Sequence, residues 1–113
     1  MKYLITGAAG FLGANLCHRL LADGHEVVGL DNYHSGTRAN TAMLLGRPGF
    51  SFVEHDVVKA YDIPCDIVCN LACPASPPHY QRDPVYTLRT SVLGTLHALE
   101  NAERHGARLL QAS

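Results

Sequence analysis

An α/β fold with a doubly wound parallel sheet is predicted by two features of the 113-residue sequence. Short apolar runs alternate with longer amphipathic ones, and strands that take turns with helices build parallel sheets covered on both faces. A glycine triplet also stands directly between the first apolar run and the first amphipathic one.

The elements follow in order. Lys2 to Thr6 (KYLIT) is a short, mostly apolar strand that runs straight into Gly7. From Gly10 to Ala22, the residues Phe11, Leu12, Leu16, Leu20 and Leu21 keep helical spacing, and Gly24 ends that helix. Glu26 to Leu30 (EVVGL) is the second strand, followed at once by Asp31 and Asn32. Thr37 to Leu45 reads as a weaker helix closed by Gly46. Ser51 to Glu54 is the third strand, and the chain leaves it through His55, Asp56 and Val57. Cys65 to Leu71 is the fourth strand. The following loop, Ala72 to Pro78, carries three prolines and cannot be regular structure. Pro84 opens a helix on which Val85, Leu88, Val92, Leu96 and Leu99 share a face as far as His105, and Gly106 stops it. Arg108 to Ser113 begins a fifth strand. Right-handed crossovers and a glycine-rich first turn select a Rossmann-like order, 3-2-1-4-5, expected to stop here at the fifth strand. No repeat or linker interrupts the pattern, so residues 1–113 are expected to form one domain.

Composition narrows the classes of function. With 47% hydrophobic residues the chain can bury a core, and a net charge of −1 from few basic residues offers no basic patch for nucleic acid. No apolar run approaches the roughly 18 residues a membrane span needs. The start, Met1 to Gly7, lacks the regions of a signal peptide. A cytoplasmic domain with no nucleic-acid or membrane partner is expected. Cys17, Cys65, Cys69 and Cys73 are then expected to be reduced thiols. The four-residue spacing of the last three admits a metal or redox alternative. No second cysteine pair answers it, so packing as small hydrophobes is the favoured role and no metal ligand is assigned.

Gly7-Ala8-Ala9-Gly10-Phe11-Leu12-Gly13 has the spacing G-x-x-G-x-x-G. Gly7 permits a tight turn, Gly10 lets a pyrophosphate approach backbone N–H groups, and Gly13 lets the helix pack closely on the sheet. The helix N-terminus stabilises an anion there through its dipole and free donors. Asp31, closing the second strand, is placed to hydrogen-bond the hydroxyls of an adenosine ribose, and its charge would repel a 2′-phosphate. NAD is therefore expected over NADP. Asp56, after the third strand, is similarly placed for the adenine.

The glycine loop, Asp31-Asn32 and Asp56-Val57 resemble the extended short-chain dehydrogenase/reductase family, the NAD-dependent epimerases and dehydratases of nucleotide sugars. The stretch Leu71-Ala72-Cys73-Pro74-Ala75-Ser76-Pro77-Pro78-His79-Tyr80, with Thr87-Leu88-Arg89-Thr90 and Gly106 to Ser113, is similar to its UDP-glucuronate decarboxylase (UDP-xylose synthase) branch. The resemblance implies tightly held NAD that oxidises the sugar at C4. The β-keto acid so formed loses carbon dioxide, and return of the hydride gives UDP-xylose. It assigns Gly7, Gly10, Phe11, Leu12 and Gly13 to the pyrophosphate. Asn32, Tyr33, Ser35 and Gly36 join Asp31 around the adenosine ribose, and Asp56 and Val57 meet the adenine. Leu71, Cys73 and Thr90 would line the nicotinamide side. Arg89 and Tyr80 would contact the nucleotide-sugar substrate, where a cation suits a carboxylate or phosphate.

Two departures stand out. Ser91 occupies a position where relatives often carry Asn. The family's general base is Tyr in a Tyr-x-x-x-Lys pair, yet Gly7, Thr37, Cys65, Pro84 and Thr90 stand four residues after the five tyrosines. No catalytic residue is therefore assigned, and the 113 residues are expected to bind NAD without turnover. A nucleotide-sugar 4-epimerase or 4,6-dehydratase shares these motifs, and a non-catalytic NAD-binding or interaction module remains an alternative. An uncovered sheet edge and face are expected to favour self-association or a homo-oligomer. Among other polar residues, His18, His25, His55, His97 and His105 are expected on helix surfaces or turns, and Asp62 and Asp66 in a solvated turn.

Overall fold

The computed structural model describes residues 1–34, 36–72 and 84–112. Strands β1 (Lys2–Thr6), β2 (Glu26–Asp31), β3 (Phe50–Glu54), β4 (Ile67–Asn70) and β5 (Arg108–Gln111) form one sheet. Its order is β3-β2-β1-β4-β5 and every pairing is parallel, as the alternation of elements predicts. The described helices are α1 (Phe11–Ala22), α2 (Arg38–Ala42) and α3 (Pro84–His105).

Each central strand is apolar on both faces because helices cover both. Ile5, Val27 and Cys69 face α1 and pack with Ala14, Cys17, Leu20, Leu21 and Leu44. Their sequence neighbours Leu4, Val28 and Val68 point to the opposite face, where Val57, Ala98 and Ala102 meet them. Strand side chains alternate with a period of two, so continuous apolar runs serve two cores at once.

Several boundaries differ from the sequence expectation. Helix α2 ends at Ala42 rather than Leu45; the Leu44 N–H turns back three residues to the Thr41 carbonyl instead of four to that of Asn40. Strand β4 starts at Ile67; Cys65 precedes it and is nonetheless buried. Leu71 has left the strand, its N–H bonding both the carbonyl and the hydroxyl of Thr6. The proline loop from Cys73 onward, with Tyr80, and Ser35 and Ser113 lie outside the described residues.

The segment between β3 and β4 is tied to α3 by polar side chains. Asn101 is fully buried; its Oδ1 accepts the Ile63 N–H at 2.8 Å and its Nδ2 donates to the Ile63 carbonyl at 2.9 Å. His97 Nδ1 meets the Val57 carbonyl at 2.8 Å. Asp62 and Asp66 sit in solvent as expected, yet both have partners. Asp62 pairs with His105 and Arg104, and Asp66 accepts the Lys2 N–H. No helix among the described residues is long and apolar enough to cross a membrane.

Candidate functional site

The carboxyl ends of β1, β2, β3 and β4 open on one edge of the sheet, and the order reverses between β1 and β4. Ligands of doubly wound sheets bind at such a switch point. Gly7 leaves β1 with φ +75°, its N–H donating to the Leu30 carbonyl at 2.8 Å. A Cβ at Gly7 would lie 2.8 Å from the Leu71 carbonyl carbon, so only glycine lets β1 and the end of β4 approach this closely.

Helix α1 begins against that turn. Gly10 is its N-cap and has no side chain to cap it, and the first intrahelical bond runs from Ala14 N–H to the Gly10 carbonyl. Among the described residues the N–H groups of Phe11, Leu12 and Gly13 therefore have no intrahelical or side-chain acceptors, an uncapped donor set that suits an anion. A Cβ on Gly13 would stand 2.0 Å from the Gly7 carbonyl oxygen; its absence seats the helix on the loop. Phe11 and Leu12 project into solvent beside these donors.

Asp31 ends β2 with its carboxylate held by the loop it faces. Oδ2 accepts the Ala9 N–H and Oδ1 the Tyr33 N–H, each at 2.8 Å. A carboxylate offers about four lone-pair positions, so two bonds leave capacity for a pair of hydroxyls. The next residues direct their side chains elsewhere. Asn32 donates to the Tyr86 hydroxyl at 2.9 Å, while the His34 ring stacks on Tyr86 with centroids 4.1 Å apart. Tyr33 adopts φ 62°, unusual for a residue with a side chain, and is held there by Thr41 Oγ1 on its hydroxyl, by Phe52, and by the Arg38 guanidinium over its ring. Gly36 presses on Ala9, where a Cβ would come within 2.6 Å of the Ala9 carbonyl group.

Asp56 turns its carboxylate onto the Val58 N–H, and Val57 is buried under Gly94 of α3. One helical turn before Gly94 lies Thr90, 4% exposed, whose hydroxyl has no hydrogen-bond partner among the described residues. Arg89 beside it is exposed. The structure thus gathers Gly7, Gly10, Gly13, Asp31, Gly36 and Leu71 around one loop. Ser35, Cys73 and Tyr80 lie outside the described residues.

A polar row that sequence reasoning missed runs across the floor of this edge. Thr6 Oγ1 donates to Asn70 Oδ1 at 2.6 Å and accepts the N–H groups of Leu71 and Ala72 at 3.0 and 3.2 Å. Asn70 Nδ2 donates in turn to Gln111 Oε1 at 2.9 Å. Thr6 and Asn70 are buried, and the row holds the backbone of Leu71 and Ala72 where it leaves β4. The three described thiols are buried, and Cys65 Sγ accepts from Asn101 Nδ2 at 3.7 Å. Burial pushes Cys17 up to about 12 and Cys65 up to about 11, and it raises Cys69 as well. Such thiols pack and do not react at neutral pH.

Comparison with known proteins agrees with this geometry. The model of the NAD dependent epimerase/dehydratase family matches residues 3–113. UDP-glucuronic acid decarboxylase 1 of Danio rerio is 46% identical over 112 residues, which is 99% of this chain and 27% of that protein. The crystal structure of a UDP-galactose 4-epimerase superposes with a TM-score of 0.85 at 29% identity, covering 100% of this chain and 38% of that one. DesIV, a dTDP-glucose 4,6-dehydratase from Streptomyces venezuelae solved with NAD and TYD bound, gives 0.85 at 29% identity, covering 96% and 38%. The chain spans about a quarter to a third of the length of the curated relatives it matches.

Proposed function

The chain belongs to the NAD dependent epimerase/dehydratase family, and from that premise we propose that it is the NAD-binding portion of a nucleotide-sugar enzyme of the UDP-glucuronate decarboxylase type. The observation that carries NAD binding is the uncapped N-terminus of α1 lying across the loop from the Asp31 carboxylate. Phe11, Leu12 and Gly13 donate backbone N–H groups to the pyrophosphate. Asp31 takes the adenosine ribose hydroxyls, with Asn32, Tyr33, Ser35 and Gly36 shaping the wall, while Asp56 and Val57 meet the adenine. Leu71, Cys73 and the Thr90 hydroxyl, which has no partner among the described residues, serve the nicotinamide side, and Arg89 and Tyr80 the sugar nucleotide. When bound, NAD supplies a reversible hydride acceptor. The UDP-glucuronate assignment rests on the 46% identity to a decarboxylase. The 4-epimerase and 4,6-dehydratase likenesses make those activities the second reading.

The 113 residues contain no Tyr-x-x-x-Lys pair, so NAD binding without turnover is expected of them. Calorimetric titration with NAD, followed by product analysis with UDP-glucuronate, tests both statements. Failure to bind NAD overturns the first, and formation of UDP-xylose overturns the second.

The partner proposed for α3 is a second copy of the chain. Val85, Leu88, Val92, Leu96 and Leu99 form a stripe along this helix, each 46–66% exposed, and an apolar stripe of that length seeks a like surface. Sedimentation should show a dimer that Leu88→Glu with Leu96→Glu dissociates; a monomer before substitution refutes it.

A further inference from the structure

Glycine-rich anion loops carry an inherent liability. The peptide groups beside Gly10 rotate at little steric cost, and a carbonyl turned toward a phosphate replaces a donor with a repelling acceptor. Something outside the loop must hold these peptides in place. In this chain the Ala9 carbonyl receives two donors from the start of α2: Asn40 Nδ2 at 2.8 Å and the Thr37 N–H at 3.1 Å. The same peptide group sends its N–H, on Gly10, to the Gly7 carbonyl at 3.0 Å. Asn40 is itself held, because Thr37 caps α2 by accepting the Asn40 N–H on its side chain. Ala9 is fully buried and Gly36 lies against its carbonyl group with no space for a Cβ.

We propose that Asn40 is a positioning residue for the pyrophosphate loop: its carboxamide keeps the Ala9 carbonyl turned toward α2, so that only N–H groups face the anion. The proposal rests on the NAD-binding reading above. It also links the two halves of the adenosine diphosphate site. The segment carrying Gly36 and Asn40 borders the ribose residues, and its grip on Ala9 fixes the neighbouring phosphate donors.

Asn40→Ala removes the donor and favours the helix, so the fold should survive. Asn40→Asp keeps the shape but sets a carboxylate against the Ala9 carbonyl. Calorimetric titration of the protein and both variants with NAD, ADP and adenosine separates the possibilities. Loss of a single hydrogen bond at the loop should weaken NAD and ADP by about 3- to 10-fold in the alanine variant, and more in the aspartate variant. Adenosine carries no phosphate and should bind all three proteins alike. Equal losses for adenosine and ADP would mean general loosening and overturn the positioning role. So would NAD affinity unchanged in both variants. Absence of NAD binding by the unsubstituted protein would instead overturn the NAD-binding reading itself.

Discussion

Gly13→Ala and Gly94→Ala make the same chemical change inside two helices, and the structure predicts opposite outcomes. Alanine is favoured over glycine in a helix by about 1 kcal/mol, so propensity alone would stabilise both variants. At Gly13 the new methyl would sit 2.0 Å from the Gly7 carbonyl oxygen and 3.0 Å from Ala8 Cα. Ordinary contact begins at 3.4 Å, so the start of α1 must recede by about 1.4 Å. The obstructing atoms are backbone and have no rotamer to escape into, which puts the cost at the upper end of the roughly 1–3 kcal/mol typical of overpacking. A net loss of about 2 kcal/mol survives the helix gain, or about 10 °C in Tm for a domain of this size. At Gly94 the nearest atom is Val57 Cγ2 at 3.1 Å, the end of a side chain that needs to yield only a few tenths of an ångström. There the propensity gain should cancel or slightly exceed the cost. Thermal unfolding followed by circular dichroism reads both stabilities, and NAD titration reads the site. Receding α1 carries the phosphate donors with it, so Gly13→Ala should also bind NAD about tenfold more weakly or worse. A Gly13→Ala protein that melts at or above the original temperature with NAD affinity intact would show that the loop–helix contact does not work as described.

Asn101→Ala should lower stability by about 2–4 kcal/mol by leaving both polar groups of Ile63 unpaired, and Asn101→Leu should not restore it although it refills the volume; full recovery by leucine in urea denaturation would refute the hydrogen-bonding account. The folded protein holds Cys17, Cys65 and Cys69 protonated above their ordinary value of 9.0. A folded-state pKa above the unfolded one gives stability that is complete below about pH 9 and lost as pH rises toward 11–12, so Tm should be flat from pH 7 to 8.5 and fall beyond, a trend that Cys17→Ala should blunt. These three thiols should also label with a disulfide reagent at pH 8 only as fast as the protein unfolds, and rapid labelling of the native state would contradict their burial. In the role proposed for Asp31 its carboxylate would repel a 2′-phosphate, so NADP should bind about 10- to 100-fold more weakly than NAD, and parity between the two in calorimetry would remove Asp31 from that role.

What could be read from the chain was what repeats locally. The two-faced apolar strands, the helix stripes and the spacing of Gly7, Gly10 and Gly13 depend on neighbours a few residues apart, and they led to the strand order and the loop. The polar row escaped because its members are ordinary in their own surroundings. Asn70 sits in a run of strand residues, and its partners Thr6 and Gln111 are 64 and 41 positions away. Asn101 looks like one polar residue on an amphipathic helix until the segment at Ile63 folds over it. The sequence pattern carries helix α2 on to Leu45 because Met43, Leu44 and Leu45 are good helix formers. Only Leu44 of the three is buried, so packing gives the helix no reason to continue. Asn40 carries no signal at all, since its meaning depends on where Ala9 comes to rest.

The hydroxyl of Thr6 has one proton and two lone pairs, and all three are committed. That fixes which way round Asn70 must point, and Asn70 in turn dictates the face that Gln111 presents. These three residues are directly opposite one another in the ladder, Thr6 beside Asn70 and Asn70 beside Gln111. Strand β5 is four residues long and mostly exposed, so apolar burial alone would hold its alignment weakly. If β5 slid by two residues, side-chain facing would be preserved but Leu109 would arrive opposite Asn70, and the amide would lose its acceptor inside the protein, a penalty of about 1–3 kcal/mol. The row therefore acts as an indexing pin. It lets a short outer strand click into a single notch, with Gln111 held at the edge where the glycine loop waits.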